Sequence, residues 1–116
     1  NKLKEEKKIV FSDSDFIEKK SDGVVFNWLV PNAQKNEMEP ILITLSGGGS
    51  SNHHDPHEGE EFGYILEGSV ILHLGDSEYK VKKGESFYFD PKKEHYLENK
   101  NERPAKILWI STPPSF

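Results

Sequence analysis

No stretch of this sequence keeps a helical hydrophobic period for even three turns. Instead, short β-branched and aromatic runs recur, each cut off by glycine, proline or aspartate. Candidate strands fall at residues 9–12, 24–30, 41–45, 61–67, 69–74, 78–81, 86–89, 95–98 and 105–111. Asp22-Gly23, Pro31-Asn32, Gly47-Gly48-Gly49, Gly68, Gly75-Asp76, Lys83-Gly84 and Asp90-Pro91 separate them. Many short strands at this spacing predict an all-β sandwich or closed barrel, with hairpins at Gly68 and Gly75-Asp76. Lys80, Lys82 and Lys83 around Val81 mark a strand with one wet face. The Phe87-Tyr88-Phe89 run reads as core packing.

With 116 residues, the chain suffices for one domain and one core. Residues 1–8 carry one apolar side chain, Leu3, and read as a linker or tail; residues 9–116 form the barrel. The start at Asn1 rather than Met suggests a C-terminal fragment of a longer protein. No cysteine is present, which excludes disulfides, thiolate catalysis and sulfur-ligated metals. A net charge of −5 argues against direct binding of nucleic acid phosphates by these residues. No apolar run reaches the roughly 20 residues of a membrane helix, and no signal peptide is visible, so a cytoplasmic location with no membrane contact is expected.

The chemistry concentrates in two places. Between Gly47 and Gly68 lie His53, His54, Asp55, His57, Glu58, Glu60 and Glu61. Further on, Gly84 and Pro91 lead to His95 and Asn99. Four of the five histidines fall in these segments, and imidazole with carboxylate is a ligand set for zinc, iron, manganese or nickel. Alternation along a strand turns Glu61 inward and Phe62 outward. The same residues could instead hydrogen-bond an organic ligand with no metal, and both readings stand at this point. His73, between Leu72 and Leu74, is a candidate cavity residue or a hydrogen-bonded barrel histidine. Tyr64 is a further candidate ligand contact. Glu58 and Glu60 read as solvated.

These residues resemble the motifs of the cupin family, G-x5-H-x-H-x3,4-E-x6-G and G-x5-P-x-G-x2-H-x3-N. His57, Glu61 and Gly68 match the first motif; His95 and Asn99 end the second, and Gly84 opens it. The resemblance runs from about Pro40 to Ser111. It implies a double-stranded β-helix, or jelly-roll, barrel with a divalent metal held by His57, Glu61 and His95. Two departures stand out. Asp55 occupies the first histidine position, so Asp55 itself or His54 would supply that ligand. The second motif lacks its glycine, and its proline, Pro91, comes one position late.

Residues 60–68 and the ending Thr112-Pro113-Pro114-Ser115-Phe116 resemble, more narrowly, the C-terminal sensor barrel of XRE-type helix-turn-helix transcriptional regulators. That resemblance implies a small-molecule or metal sensor that pairs as a homodimer through the barrel. DNA would be met only through a missing N-terminal domain. Two other readings are kept. One is a small cupin metalloenzyme of the dioxygenase, isomerase or decarboxylase type, with Tyr64, Tyr88 or Tyr96 as proton donor. The other is a stand-alone binding barrel.

Overall fold

In the computed structural model, which describes residues 8–116, nine strands and one 3-10 turn succeed one another. The strands are β1 (Ile17–Ser21), β2 (Val24–Trp28), β3 (Glu39–Leu45), β4 (Glu60–Glu67), β5 (Ser69–Leu74), β6 (Ser77–Lys82), β7 (Ser86–Phe89), β8 (His95–Glu98) and β9 (Ala105–Thr112). The turn is Ala33–Lys35. They form a six-stranded sheet in the order β1-β2-β3-β9-β4-β7 and a three-stranded sheet in the order β6-β5-β8. Every pairing is antiparallel. The all-β architecture expected from the sequence is the one observed. No helix among the described residues is long and apolar enough to cross a membrane.

Two expectations need correction at the N-terminal end. Residues 9–12 are not a strand; Ile9 and Val10 are exposed and pair with nothing described. A short apolar run becomes a strand only where a neighbour supplies its hydrogen bonds. Conversely, β1 (IEKKS) is exposed at every position and shows no alternation. It exists because the Asp22-Gly23 turn folds it back along β2, with Lys19 opposite Phe26. Its charged residues suit an edge strand, since they discourage a further strand from adding on. Of the residues expected as a linker or tail, 1–7 lie outside the described residues and Lys8 is exposed.

Alternation builds the core. In β3 the inward residues are Glu39, Ile41, Ile43 and Leu45; in β9 they are Ala105, Ile107, Trp109 and Ser111; in β4 they are Glu61, Gly63 and Ile65. Register stacks them: Ile41 lies beside Trp109, Trp109 beside Gly63, and Ser111 beside Glu61. Val70, Leu72, Val81 and Leu97 close over them from the smaller sheet. Each fully buried aliphatic side chain contributes about 1.5–3 kcal/mol. Gly63 is needed for volume: a Cβ there would sit 2.1 Å from Cζ of Phe87, the residue paired with it on β7. At one end of this interior the lining turns polar, with Glu39, Glu61, His95 and Ser111 all buried.

Candidate metal centre

Three elements converge at that polar end. Glu61 enters from the second residue of β4, His95 from the first residue of β8, and His57 from the loop before β4. The backbone fixes each of them. His57 N–H donates to the carbonyl of Pro91 at 2.8 Å, so the displaced proline seats the loop that carries His57. Between His57 and β4, Gly59 adopts φ 115° and passes so close to Thr112 that any Cβ would meet its carbonyl oxygen.

The side chains of His57, Glu61 and His95 offer ligand atoms that all lie within 4.8 Å of one another. Glu61 and His95 are fully buried and His57 half-buried. His57 Nε2 stands 2.9 Å from Glu61 Oε2, and His95 Nε2 stands 3.7 Å from the same oxygen, too far for a hydrogen bond. Both histidines present their other nitrogen to a carbonyl: His57 Nδ1 donates to Glu58 at 2.8 Å and His95 Nδ1 to Lys93 at 2.9 Å. A carbonyl only accepts, so each Nδ1 carries the proton and each Nε2 is left to face the carboxylate.

Glu61 is itself held from behind. Its Oε1 accepts the indole N–H of Trp109 at 2.5 Å, and its Oε2 accepts the hydroxyl of Ser111 at 3.0 Å. Burial pushes the Glu61 carboxyl up. The combined pull of His95, Ser111 and Trp109 outweighs it and holds the group below its ordinary value. Burial likewise pushes His95 down, and the Glu61 carboxylate, the Lys93 carbonyl and Glu94 reverse that to a net rise.

The donor set fits a divalent cation. His95 Nε2 is buried and has no hydrogen-bond partner among the described residues. In neutral imidazoles with this tautomer, two lone pairs and a carboxylate converge on one point with no proton to share. Such an arrangement is costly unless a proton or a metal ion occupies it. Carbonyl bonds behind both histidines and an indole behind the carboxylate are the kind of outer support that orients metal ligands.

The remaining candidates lie elsewhere. Residues Ser50 to His54 run extended beside β8, with bridges Ser50 to Glu98 and His54 to His95. The bridge to His95 half-buries His54 while Asp55 stays exposed, so Asp55 is not brought to the site. His54 stacks on His95 at 5.4 Å between ring centres but is not among the three converging ligands. Burial, with His95 adding to it, outweighs the opposing pull of Glu61 and holds His54 below its ordinary value. His73 pairs in register with Tyr96 on the outer side of the smaller sheet, stacks on that ring and bonds Glu98 at 2.8 Å. Tyr64 lies between buried Gly63 and Ile65 and points outward. Neither His73 nor Tyr64 reaches the cluster, because an odd step along a strand reverses the face.

Sequence reasoning missed Trp109 and Ser111 behind Glu61, and it missed Glu39. Glu39 is fully buried; its Oε2 accepts Trp28 Nε1 at 2.8 Å. Its Oε1 accepts the backbone N–H groups of Ser115 and Phe116 at 2.8 and 2.9 Å. That clamp folds the C-terminal segment back, so that the Phe116 ring stands edge-on to Trp109 and His54. Alternation in β9 was the available signal for Trp109 and Ser111.

Comparison with known proteins agrees with this geometry. Residues 41–111 match the family model for the cupin domain. Over 82% of this chain and 77% of its own length, the uncharacterized protein MJ1618 of Methanocaldococcus jannaschii is 34% identical. The HTH-type transcriptional regulator PuuR of Escherichia coli is 29% identical over 97% of this chain; the chain spans 60% of PuuR's length. Among solved structures, a predicted oxalate decarboxylase of Thermotoga maritima superposes with a TM-score of 0.76 at 21% identity, over 90% of this chain and 98% of that one. The fold, the converging His57, Glu61 and His95, and the match over residues 41–111 agree: the chain belongs to the cupin family.

Proposed function

We propose that this chain is the effector-sensing domain of a helix-turn-helix transcriptional regulator, and that its sensor pocket is organised by a divalent metal at His57, Glu61 and His95. The observation that carries the reading is the similarity to PuuR along 97% of the chain, with 40% of PuuR left over for other work. DNA contact then belongs to a separate domain, in keeping with the net charge of −5. Zinc, iron, manganese and nickel all suit two imidazoles and a carboxylate. When bound, such an ion supplies a Lewis acid whose open positions accept an oxygen or nitrogen of the effector. The protein's own part is to hold both Nε2 atoms and the carboxylate in place. Behind the carboxylate, the Trp109 ring packs edge-on against Phe116.

A small metalloenzyme is the second reading. Two histidines and one carboxylate also serve oxygen-activating iron sites. His54, stacked on His95, gives it an imidazole beside the cluster to take part in proton transfer.

Elemental analysis of untagged protein and of His95→Ala tests the shared premise. Near-stoichiometric metal, lost in the variant, is expected. Metal-free protein from metal-supplemented cultures would remove both metal readings. The regulator reading also requires a DNA-binding domain encoded in the same gene; without one, only the enzyme or a free-standing binder remains.

A further inference from the structure

A hollow of about 540 Å³ opens beside Gly68, where β5 begins, and none of the residues around it belongs to the metal cluster. That volume falls within the range of small-molecule sites. Lys80 and Lys82 enter it from the outward side of β6, since Val81 between them is buried. Lys83 adds a charge from the turn after β6, and Arg103 another from the connection between β8 and β9. None of these four cations forms an ion pair among the described residues. Two carboxylates, Glu85 and Glu102, share the lining, and Glu85 Oε1 already accepts the backbone N–H of Lys82 at 2.8 Å. A positive excess thus gathers at one place in a chain whose net charge is −5.

Lysines on an edge strand ordinarily deter a further strand from adding on. That accounts for Lys80 and Lys82 on β6, but not for the loop brought against them. Fully buried Asn99 fixes this loop: its Nδ2 donates to the carbonyl of Arg103 at 2.8 Å, and its Oδ1 accepts the N–H of Asn101 at 3.0 Å. Asn101 Nδ2 in turn donates to Ser69 Oγ at 2.8 Å, and Ser69 pairs with Lys82 across the strands. Gly68, at φ 77°, lets the loop come close, because a Cβ there would sit 2.9 Å from the carbonyl oxygen of Pro104. Ser69 Oγ accepts from Asn101, so its own proton remains to be donated, and it meets no acceptor among the described residues. A fixed loop, an unused hydroxyl donor and unpaired cations make a hollow preorganised for an anion.

We propose that this hollow binds a small molecule carrying a phosphate or diphosphate group. Arginine and lysine are the side chains that pair with phosphate oxygens, the first through paired N–H donors and the second as a point charge. A phosphate ester brings about −1.5 to −2 of charge where a carboxylate brings only one unit, which suits four cations set against two carboxylates. The site is separate from the His57, Glu61 and His95 cluster and does not rest on the regulator reading.

Titration calorimetry with pyrophosphate on the chelator-treated 116-residue chain tests the proposal. Saturable binding that weakens with added salt is expected. Arg103→Ala and Lys82→Ala, made separately, should each weaken it on the order of 10-fold, and Ser69→Ala should weaken it less. Lys20→Ala removes an exposed lysine of β1 and should leave it unchanged, as should His95→Ala at the cluster. Acetate, with a single charge, should bind at least about 10-fold more weakly than pyrophosphate. Melting temperature reports that each variant is folded. No heat at millimolar pyrophosphate, or binding that survives both Arg103→Ala and Lys82→Ala, would overturn the site. Loss of binding in His95→Ala would move the phosphate to the cluster, and equal binding of acetate would overturn the phosphate class. Duplex DNA bound in preference to pyrophosphate, through the same residues, would overturn the small-molecule assignment.

Discussion

Replacing Trp109 by phenylalanine isolates the bond that holds the buried carboxylate. The indole N–H is the only donor to Glu61 Oε1 among the described residues, and both residues are fully buried. Phenylalanine keeps an aromatic ring but removes that donor. A hydrogen bond to a charged group is worth about 1.5–3 kcal/mol. The smaller ring also leaves a void on the order of 40 Å³, which at about 24 cal/mol per Å³ adds about 1 kcal/mol. A total near 2.5–4 kcal/mol lowers the Tm of a domain this size by roughly 10–20 °C. Trp28→Phe is the internal comparison. Glu39 keeps the Ser115 and Phe116 amides, and Trp28 is only half-buried, so that variant loses less. The assay is thermal unfolding of both variants without metal, followed by zinc titration against a competing chelator. Zinc affinity should fall about 10–100-fold for Trp109→Phe, as for loss of an outer-shell support. A Trp109→Phe protein that melts within the error of the parent and binds zinc equally well would refute the argument that the indole holds Glu61.

Acidity should act on the metal and on the metal-free fold in opposite directions at His95. The value of His95 is raised above the ordinary 6.5, so its protonated pairing with Glu61 stabilises the metal-free protein below 6.5. That contribution fades as pH rises through the raised value. Glu61 is lowered from 4.5; its contribution is present above 4.5 and fades as pH falls through the lowered value. A metal needs both imidazoles unprotonated, so zinc affinity should climb with pH and level off above the His95 value; chelator titrations that give a flat profile would contradict this. Gly63→Ala should cost about 1–3 kcal/mol through overpacking against Phe87. Chemical denaturation reads that loss, and Phe87→Leu in the same chain should recover part of it.

Strand alternation made much of this architecture legible, but pairing did not show in composition. Most strands from β2 to β9 appear as alternating or apolar runs because one face of each is buried. β1 does not, since an edge strand with no buried position leaves no pattern to read. Residues 9–12 gave the opposite error: an apolar run with no strand beside it. In the site, the H-x3-E spacing placed His57 and Glu61 together because the loop and the strand start are local in sequence. His95 came from motif resemblance, as no local rule brings β8 to β4. Asp55 and His54 were left open. The extended path beside β8, which leaves the first exposed and half-buries the second, is a tertiary fact. Glu39 was invisible because a carboxylate at a strand start ordinarily reads as solvated; only the returning C-terminal amides explain its burial.

The chain's two tryptophans each end on a buried carboxyl group, Trp28 on Glu39 and Trp109 on Glu61. The consequence is optical. Trp109, sealed from water, emits from a dry setting and lies one hydrogen bond from the ligand cluster. An ion with unpaired electrons held there quenches it, whereas zinc does not. Trp28 senses instead the strap that ends in Phe116. Intrinsic emission therefore carries two gauges in one spectrum, one for the occupant of the cluster and one for the C-terminal segment that Glu39 holds.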